Sequence, residues 1–328
     1  MRLVFYGTPE FAVPPLERLV AAGRPPLLVV TRGDKPRGRG LALTPSPVRA
    51  AASALGLPAV TPARASAPDE IERVRALVPD LLIVIAYGQI LSPELLAVPR
   101  VGALNVHFSL LPRHRGAAPV QAAILAGDAE TGVATMWMTE GLDEGPIFLE
   151  RATPIDPEEN AGTLGARLAA LGTELLSESL GLLERGTATW REQDHALATY
   201  APKIRTEDAR LDVESSAASL ARRVRAFTPD PGAWVDLEPD RLTVLEATVN
   251  AAPGAPAGAP RGPDPLPTPP GSIVAIDRAR GLGIACGDGT LWLRRVRPAG
   301  RKEMSGADYA NGARLRPGAP LPLRAAPA

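Results

Sequence analysis

The side chains best suited to chemistry in this sequence are an amide, an imidazole and a carboxylate. Asn105 and His107 lie two residues apart at the end of an apolar segment. Residues two apart in an extended chain project from the same face, so both side chains should point to one side of a predicted strand. Asp143 follows later, in a glycine-containing turn after another apolar segment. Together these groups could stabilise a developing oxyanion and move a proton, as transfer of an acyl-type group requires.

Each of these residues also has a simpler interpretation. Asn105 and His107 could be buried polar side chains that merely satisfy their own hydrogen bonds. Asp143 could serve only the turn at 140–145, because aspartate and glycine are common turn residues. The residue types alone therefore leave both interpretations open.

Alternating strand and helix patterns must position these groups. The sequence predicts strands at 2–6, 27–31, 81–86 and 101–106, with a helix at 14–22 between the first two. Continuous apolar strands such as 81–86 are typical of a sheet buried on both faces. The expected fold class is α/β, a doubly wound and mostly parallel sheet that binds ligands at the carboxyl ends of its strands.

The pattern changes after about residue 205 to one amphipathic helix at 215–227 followed by short strands, which favour a small β-barrel. We therefore expect a catalytic domain at 1–200, a linker at 201–208 and a barrel domain at 209–328. The barrel domain contains an insertion at 251–270 whose alanine, glycine and proline content predicts disorder.

Composition argues against several other classes of protein. The chain has 328 residues, no net charge, one cysteine and three histidines, and the histidines lack zinc-ligand spacing. We therefore expect neither an internal disulfide nor a metal site. No apolar segment approaches the ~18 residues that cross a bilayer, so we expect a cytoplasmic protein without a membrane span. The loop Gly7-Thr-Pro-Glu-Phe11 lacks the glycine fingerprint of dinucleotide-binding folds, which argues against hydride transfer.

Positive charge is concentrated in two places. The first is the segment 32–49, which includes Arg37 and Arg39. The second contains Arg294, Arg295, Arg297, Arg301 and Lys302. Both clusters could bind phosphates, and both could equally be solvated loops in an arginine-rich chain.

The longer sequence around these residues resembles the folate-dependent formyltransferases. The resemblance runs through Asn105-x-His107-x-Ser109-Leu-Leu-Pro112 and Gly141-Leu-Asp143-x-Gly145, and continues at 7–11, 38–40 and 298–302. It covers almost everything except the insertion. Members that act on glycinamide ribonucleotide match only the first domain, so the second domain favours the branch that acts on charged tRNA.

The resemblance implies that Asn105, His107 and Asp143 are the catalytic residues and that 10-formyltetrahydrofolate is the formyl donor. The residues implied to contact the donor are Gln89, Ile90, Leu91, Ser109, Leu110, Leu111 and Pro112.

The acceptor implied by the resemblance is initiator methionyl-tRNA, formylated before translation begins. Its acceptor end would meet the basic loop that contains Arg37 and Arg39. The second domain resembles an OB fold whose arginine cluster, Arg294 to Lys302, would bind the tRNA body. We expect a monomer.

Two alternatives remain open. A sugar-nucleotide N-formyltransferase would share the donor, the three catalytic residues and a barrel-like second domain. A tRNA-binding module that has lost catalysis is less compatible with the intact Asn105, His107 and Asp143.

Three positions depart from the family pattern. Phe108 stands where glycine is usual, His114 where tryptophan is usual, and Leu41-Ala42 where lysines are common. Phe108 should project away from His107, so we expect altered packing there rather than lost chemistry. Leu41-Ala42 weakens the electrostatic case for the basic loop, which Arg37 could compensate.

Overall fold

The structure, a computed structural model, describes residues 1–37, 42–249 and 268–324. Its strands are β1 (Leu3–Gly7), β2 (Leu28–Val30), β3 (Lys35–Arg37), β4 (Ala42–Thr44), β5 (Ala59–Val60), β6 (Leu81–Ile85), β7 (Gly102–His107), β8 (Arg115–Gly116), β9 (Glu130–Trp137), β10 (Ile147–Pro154), β11 (Tyr200–Ala201), β12 (Ala233–Val235), β13 (Leu242–Val249), β14 (Ile273–Asp277), β15 (Gly281–Ala285), β16 (Thr290–Pro298) and β17 (Met304–Ser305). Its helices are α1 (Val13–Ala21), α2 (Pro47–Ala54), α3 (Pro68–Ala76), α4 (Pro93–Leu96), α5 (Pro119–Ala126), α6 (Ala161–Arg185), α7 (Ala217–Phe227) and α8 (Gly306–Gly312).

The chain divides into two compact units. The first comprises Met1–Ala123, Ala129–Ile155 and Thr163–Lys203. The second comprises Ile124–Asp128, Asp156–Gly162 and the chain from Ile204 onward. The second unit takes in two short earlier segments. The domain limits of 1–200, 201–208 and 209–328 stay a prediction.

A seven-stranded sheet forms the first unit, in the order β10-β9-β7-β6-β1-β2-β5. The five strands from β7 to β5 pair in parallel, and β9 and β10 run antiparallel to their neighbours. The predicted α/β class with a mostly parallel sheet is confirmed. Because β1 lies between β2 and β6, the winding reverses there, and open sheets of this kind bind ligands at such a reversal.

Apolar side chains cover both faces of this sheet. On one face, Val4 and Tyr6 of β1 lie in a hydrophobic cluster with Ile71 and Val74 of α3. On the opposite face, Val106 of β7 packs against α6. The contact is close enough that a Cβ on Gly172 would lie 3.0 Å from the Val106 side chain. A strand buried on both faces must be apolar throughout, as β6 is.

The second unit is an antiparallel sheet in the order β12-β13-β16-β15-β14, with β17 paired to β16. Leu220 and Val224 of α7 belong to its hydrophobic cluster. The predicted small β domain is confirmed. The sequence did not predict β15, since glycine disfavours strands. In the structure Gly283 makes room for a large neighbour, because a Cβ there would lie 3.1 Å from the Trp292 ring.

The predicted insertion at 251–270 lies outside the described residues except for its last three positions. Throughout the described ranges, the helices lack the combination of length and hydropathy that a bilayer crossing requires.

Candidate active site

Asn105 and His107 lie on β7, near the carboxyl edge of the sheet. Asn105 is aligned with Val84 of β6 and with Met136 of β9, so strands flank it on both sides. Both side chains are buried. As the strand alternation predicts, both face the same group, the carboxylate of Asp143.

Asp143 reaches this position from the loop between β9 and β10. Its Oδ1 accepts a hydrogen bond from Nδ2 of Asn105 at 3.3 Å, and its Oδ2 accepts one from the backbone N–H of Gly116 at 2.8 Å. Gly116 has φ 116°, and a Cβ there would lie 2.6 Å from the Ala201 carbonyl oxygen. Only glycine therefore fits at this position.

The imidazole of His107 is held through its Nε2. Its nearest partner is the backbone carbonyl oxygen of His114 at 3.0 Å, and a carbonyl only accepts, so Nε2 carries a proton. This leaves Nδ1 facing Oδ2 of Asp143 at 3.7 Å. That separation is too long for a direct hydrogen bond, but it allows an ion pair when the ring is protonated.

This arrangement matches the chemistry expected from the residue types. Asn105 has two amide hydrogens. One is directed at Asp143, and among the described residues no acceptor takes the other. Asn105 can therefore donate to a developing oxyanion while Nδ1 of His107 exchanges a proton with Asp143.

The segment 86–91 follows β6 at the reversal of the sheet. Thr8, in the loop after β1, donates its hydroxyl to the carbonyl of Tyr87 at 2.8 Å. Arg32 donates to the carbonyl of Gly88, also at 2.8 Å. Loops from β1, β2 and β6 are thus tied together at the edge where a doubly wound sheet binds its ligand.

The amide of Gln89 fixes a neighbouring loop. Its Oε1 accepts from the backbone N–H of Ala65 at 2.8 Å, and its Nε2 donates to the carbonyl of Ala63 at 3.3 Å. The family resemblance implies that Gln89 contacts the folate donor. Because the side-chain amide of Gln89 is already hydrogen-bonded to this loop, Gln89 would contact a ligand through its backbone.

The side chain of Tyr87 is buried in the hydrophobic cluster on the face of the sheet that includes Val4 and Tyr6. Its ring meets Tyr6 edge to face at a centroid distance of 5.3 Å. Burial raises the pKa of Tyr87 to about 12 and also raises the pKa of Tyr6, so both phenols stay neutral. Among the described residues, the Tyr87 hydroxyl has no hydrogen-bond partner.

The remaining residues predicted to contact the donor differ in accessibility. Ile90 is 84% exposed, whereas Leu91 and Leu111 are buried in separate hydrophobic clusters. The Ser109 hydroxyl donates to the carbonyl of Arg113 at 2.7 Å. Leu110 and Pro112 are half-buried.

The predicted basic clusters are only partly described. Arg39 lies outside the described residues, and Arg37 is described only as the last backbone position of β3. In the second cluster Arg295 pairs with Glu246 at 3.4 Å and with Glu303 at 2.6 Å. Within the described part of the chain, no ion pair neutralises the other members, Arg294, Arg297, Arg301 and Lys302.

Several site residues escaped the sequence analysis. Gly116 contributes a backbone N–H, which no residue type reveals. Gln193 donates its amide to the carbonyls of Asp143 and Gly145, and Thr199 accepts the N–H of His114 through its hydroxyl at 2.8 Å. These contacts depend on the pairing of β8 with β11, which joins segments far apart in sequence.

Phe108, which stands where glycine is usual in the family, packs away from Asn105 and His107. Phe108 is buried, and its ring meets Phe11 edge to face at a centroid distance of 6.2 Å. It also lies over Gly172 of α6, where a Cβ would approach the ring to 3.4 Å. No cluster of metal-ligating side chains occurs among the residues that the structure describes.

Two family models match this chain. The model described as "Formyl transferase" matches residues 1–180, and the model described as "Formyl transferase, C-terminal domain" matches residues 203–314.

Curated relatives match nearly the whole chain. A methionyl-tRNA formyltransferase from Methylococcus capsulatus is 47% identical over 95% of this chain and 96% of its own length. One from Halorhodospira halophila is also 47% identical, over 98% of this chain and 99% of its own length.

Solved structures share the fold at low sequence identity. HypX from Aquifex aeolicus in complex with tetrahydrofolic acid has a TM-score of 0.61 at 18% identity, over 94% of this chain and 47% of that one. The sugar 3N-formyltransferase WlaRD has a TM-score of 0.62 at 16% identity, over 92% of this chain and 99% of that one.

Proposed function

This chain belongs to the methionyl-tRNA formyltransferase family, and on that premise we propose that Asn105, His107 and Asp143 are its catalytic residues. The protein transfers the formyl group of 10-formyltetrahydrofolate to the amino group of methionyl-tRNA. The contact between all three side chains at one edge of the sheet carries the proposal for the site.

The acceptor amine needs little activation. An α-amino group has a pKa near ~8, and esterification lowers it further, so much of the amine is neutral at physiological pH. The harder step is to stabilise the negative charge that develops on the formyl oxygen and to protonate the leaving nitrogen.

The three side chains divide this work. Asn105 donates its remaining amide hydrogen to the formyl oxygen, and the imidazole of His107, held beside Asp143, supports the same charge. Asp143 takes the proton that the amine loses and returns it toward the leaving nitrogen, directly or through one water. The bond from His107 Nε2 to His114 keeps the ring turned so that Nδ1 faces these groups.

The loop at 86–91 fits a flat, partly aromatic donor. Hydrogen bonds from Thr8 and Arg32 fix its backbone, so its exposed N–H and C=O groups are preorganised. Ile90 and Leu142 are 84% and 55% exposed, and they supply the apolar surface that a pterin ring could cover. We propose that Gln89, Leu91, Ser109, Leu110, Leu111 and Pro112 shape this site mainly through their backbone.

The acceptor distinguishes this function from that of a sugar-nucleotide N-formyltransferase. We expect kcat/KM for methionyl-tRNA to exceed that for an amino-sugar nucleotide by at least about 100-fold, because a nucleotide sugar offers only a diphosphate to basic residues. Formyl transfer to the two acceptors, measured in parallel with 10-formyltetrahydrofolate, tests this. Preference for the sugar nucleotide would reverse the assignment, and transfer to neither would indicate a binding module.

We propose that Arg294, Arg297, Arg301 and Lys302 bind tRNA phosphates, together with Arg37 and Arg39 of the basic loop. Arg295 should contribute less, because Glu246 and Glu303 already neutralise it. Arg297 and Arg295 are both exposed and lie on the same strand, so they form a matched pair.

Arg297→Ala is expected to raise KM for methionyl-tRNA and to reduce the salt slope of binding by about 1, as loss of one phosphate contact does. Arg295→Ala should change both quantities much less. Filter binding across salt concentrations, with kinetics at one salt concentration, measures this difference. Equal effects of the two substitutions would contradict the proposed phosphate contact.

We further propose that the functional domains follow the limits 1–200, 201–208 and 209–328 and that the protein acts as a monomer. Since its acceptor is used in translation, we propose the cytoplasm as its location.

A further inference from the structure

We propose that Gln193 is a positioning residue that holds the loop of Asp143 in the geometry needed for formyl transfer. The inference rests on the catalytic role proposed above for Asp143. Gln193 is buried, and its Nε2 donates to the backbone carbonyls of Asp143 at 2.9 Å and Gly145 at 2.7 Å. One amide group therefore clamps both sides of the turn that presents the carboxylate.

The backbone of the turn is tightly constrained. Asp143 has φ 51°, in the left-handed region, which aspartate adopts more readily than most residues but less readily than glycine. On the other side of the turn, Gly145 lies so close to β9 that a Cβ there would approach the Trp137 carbonyl oxygen to 2.0 Å. The clamp and this close approach together fix where the carboxylate points.

Arg115 fixes the orientation of the Gln193 amide. Nε and Nη2 of Arg115 donate to Oε1 of Gln193 at 3.1 and 2.8 Å, and Arg115 is itself buried. A guanidinium only donates, so Oε1 must face Arg115 and the NH₂ group must face the two carbonyls. The next residue is Gly116, whose N–H binds the Asp143 carboxylate. Neighbouring residues of β8 thus hold Asp143 through its backbone and through its side chain.

The segment that carries Gln193 is anchored at both ends. Arg191 exchanges two backbone hydrogen bonds with Ile147, at 2.8 and 2.9 Å. At the far end, Tyr200 and Ala201 pair with Arg115 and Gly116. Backbone pairing on either side of Gln193 therefore holds it in place beside the turn of Asp143.

Gln193→Glu removes the hydrogen bonds from residue 193 to the turn of Asp143 but keeps its contact with Arg115. A glutamate keeps the shape of the side chain and the acceptor that Arg115 uses, but it removes both donors to the turn. We expect kcat for formyl transfer to fall about 100-fold, as a displacement of about 1 Å in a catalytic group can cause. KM for methionyl-tRNA and the Kd for the donor should stay unchanged.

A double-mutant cycle with Asp143→Asn tests whether the effect acts through Asp143. Once the carboxylate is gone its position no longer matters, so Gln193→Glu should change kcat little in that background. A further fall of about 100-fold would overturn the proposal, because additive effects indicate independent roles.

Ser179→Ala serves as the structural control, because Ser179 is buried and hydrogen-bonded to Thr135 away from the site. It should lower Tm and leave kcat unchanged. If Gln193→Glu does not fold, Gln193→Met takes its place in the same cycle. Wild-type kcat in the Gln193 variant overturns the present inference alone. Wild-type kcat in Asp143→Asn overturns the function proposed for Asp143.

Discussion

Replacement of Asp143 by asparagine is expected to lower the single-turnover rate of formyl transfer by about 10²–10³-fold. The carboxylate accepts hydrogen bonds from Asn105 and Gly116 and faces Nδ1 of His107. An asparagine offers one oxygen in place of two, and its NH₂ group must then face one of these donors. It also cannot take up the proton that the amine loses. Rapid-quench measurement of formyl transfer to methionyl-tRNA gives the rate directly.

Asp277→Asn is the matched control for this substitution. Asp277 is the last residue of β14, and its carboxylate accepts hydrogen bonds from the backbone N–H groups of Ala279 and Arg280, in the turn that follows, both at 2.8 Å. It should retain the wild-type transfer rate. If Asp143→Asn also retains that rate while remaining folded, Asp143 has no catalytic role.

Replacement of Phe108 by alanine is expected to lower the free energy of unfolding by about 3–5 kcal/mol. The ring is buried and contacts Phe11 and the segment at Gly172, so alanine leaves a void that closely packed surroundings fill only in part. Denaturant unfolding followed by circular dichroism measures this loss.

The same substitution should leave the chemistry nearly intact. Phe108 projects from the face of the chain opposite His107, toward α6, so its removal leaves the contacts of Asp143 in place. Phe108→Leu, which fills more of the space, should recover part of the lost stability. A slowed transfer rate with unchanged unfolding free energy would show instead that Phe108 touches the reacting groups.

Strand periodicity was sufficient to predict the fold class and the placement of two side chains. The apolar segment at 81–86 and the segment that ends at His107 correspond to β6 and β7, which are neighbouring parallel strands of one sheet. The alternation along β7 correctly placed Asn105 and His107 on one face. These predictions succeed because side-chain direction in a strand depends only on local geometry.

The hydrogen bonds that orient the site could not be predicted in this way. Gly116 acts through its backbone, and Gln193 lies in a polar segment whose composition suggests an exposed loop. Their roles depend on β8 and β11, two-residue strands that become recognisable only when paired. Gln89 shows the opposite case, because the family resemblance implies that it contacts the donor, whereas its side-chain amide binds the backbone of a neighbouring loop.

The contact between Phe108 and Gly172 also limits how this part of the chain can change over evolutionary time. A Cβ at position 172 would lie 3.4 Å from the Phe108 ring and 3.0 Å from the Val106 side chain, so a larger residue there requires Val106 to shift as well. A smaller residue at 108 alone leaves a void, and a larger residue at 172 alone pushes its neighbours apart. The sizes tolerated at positions 106, 108 and 172 are therefore expected to depend on one another.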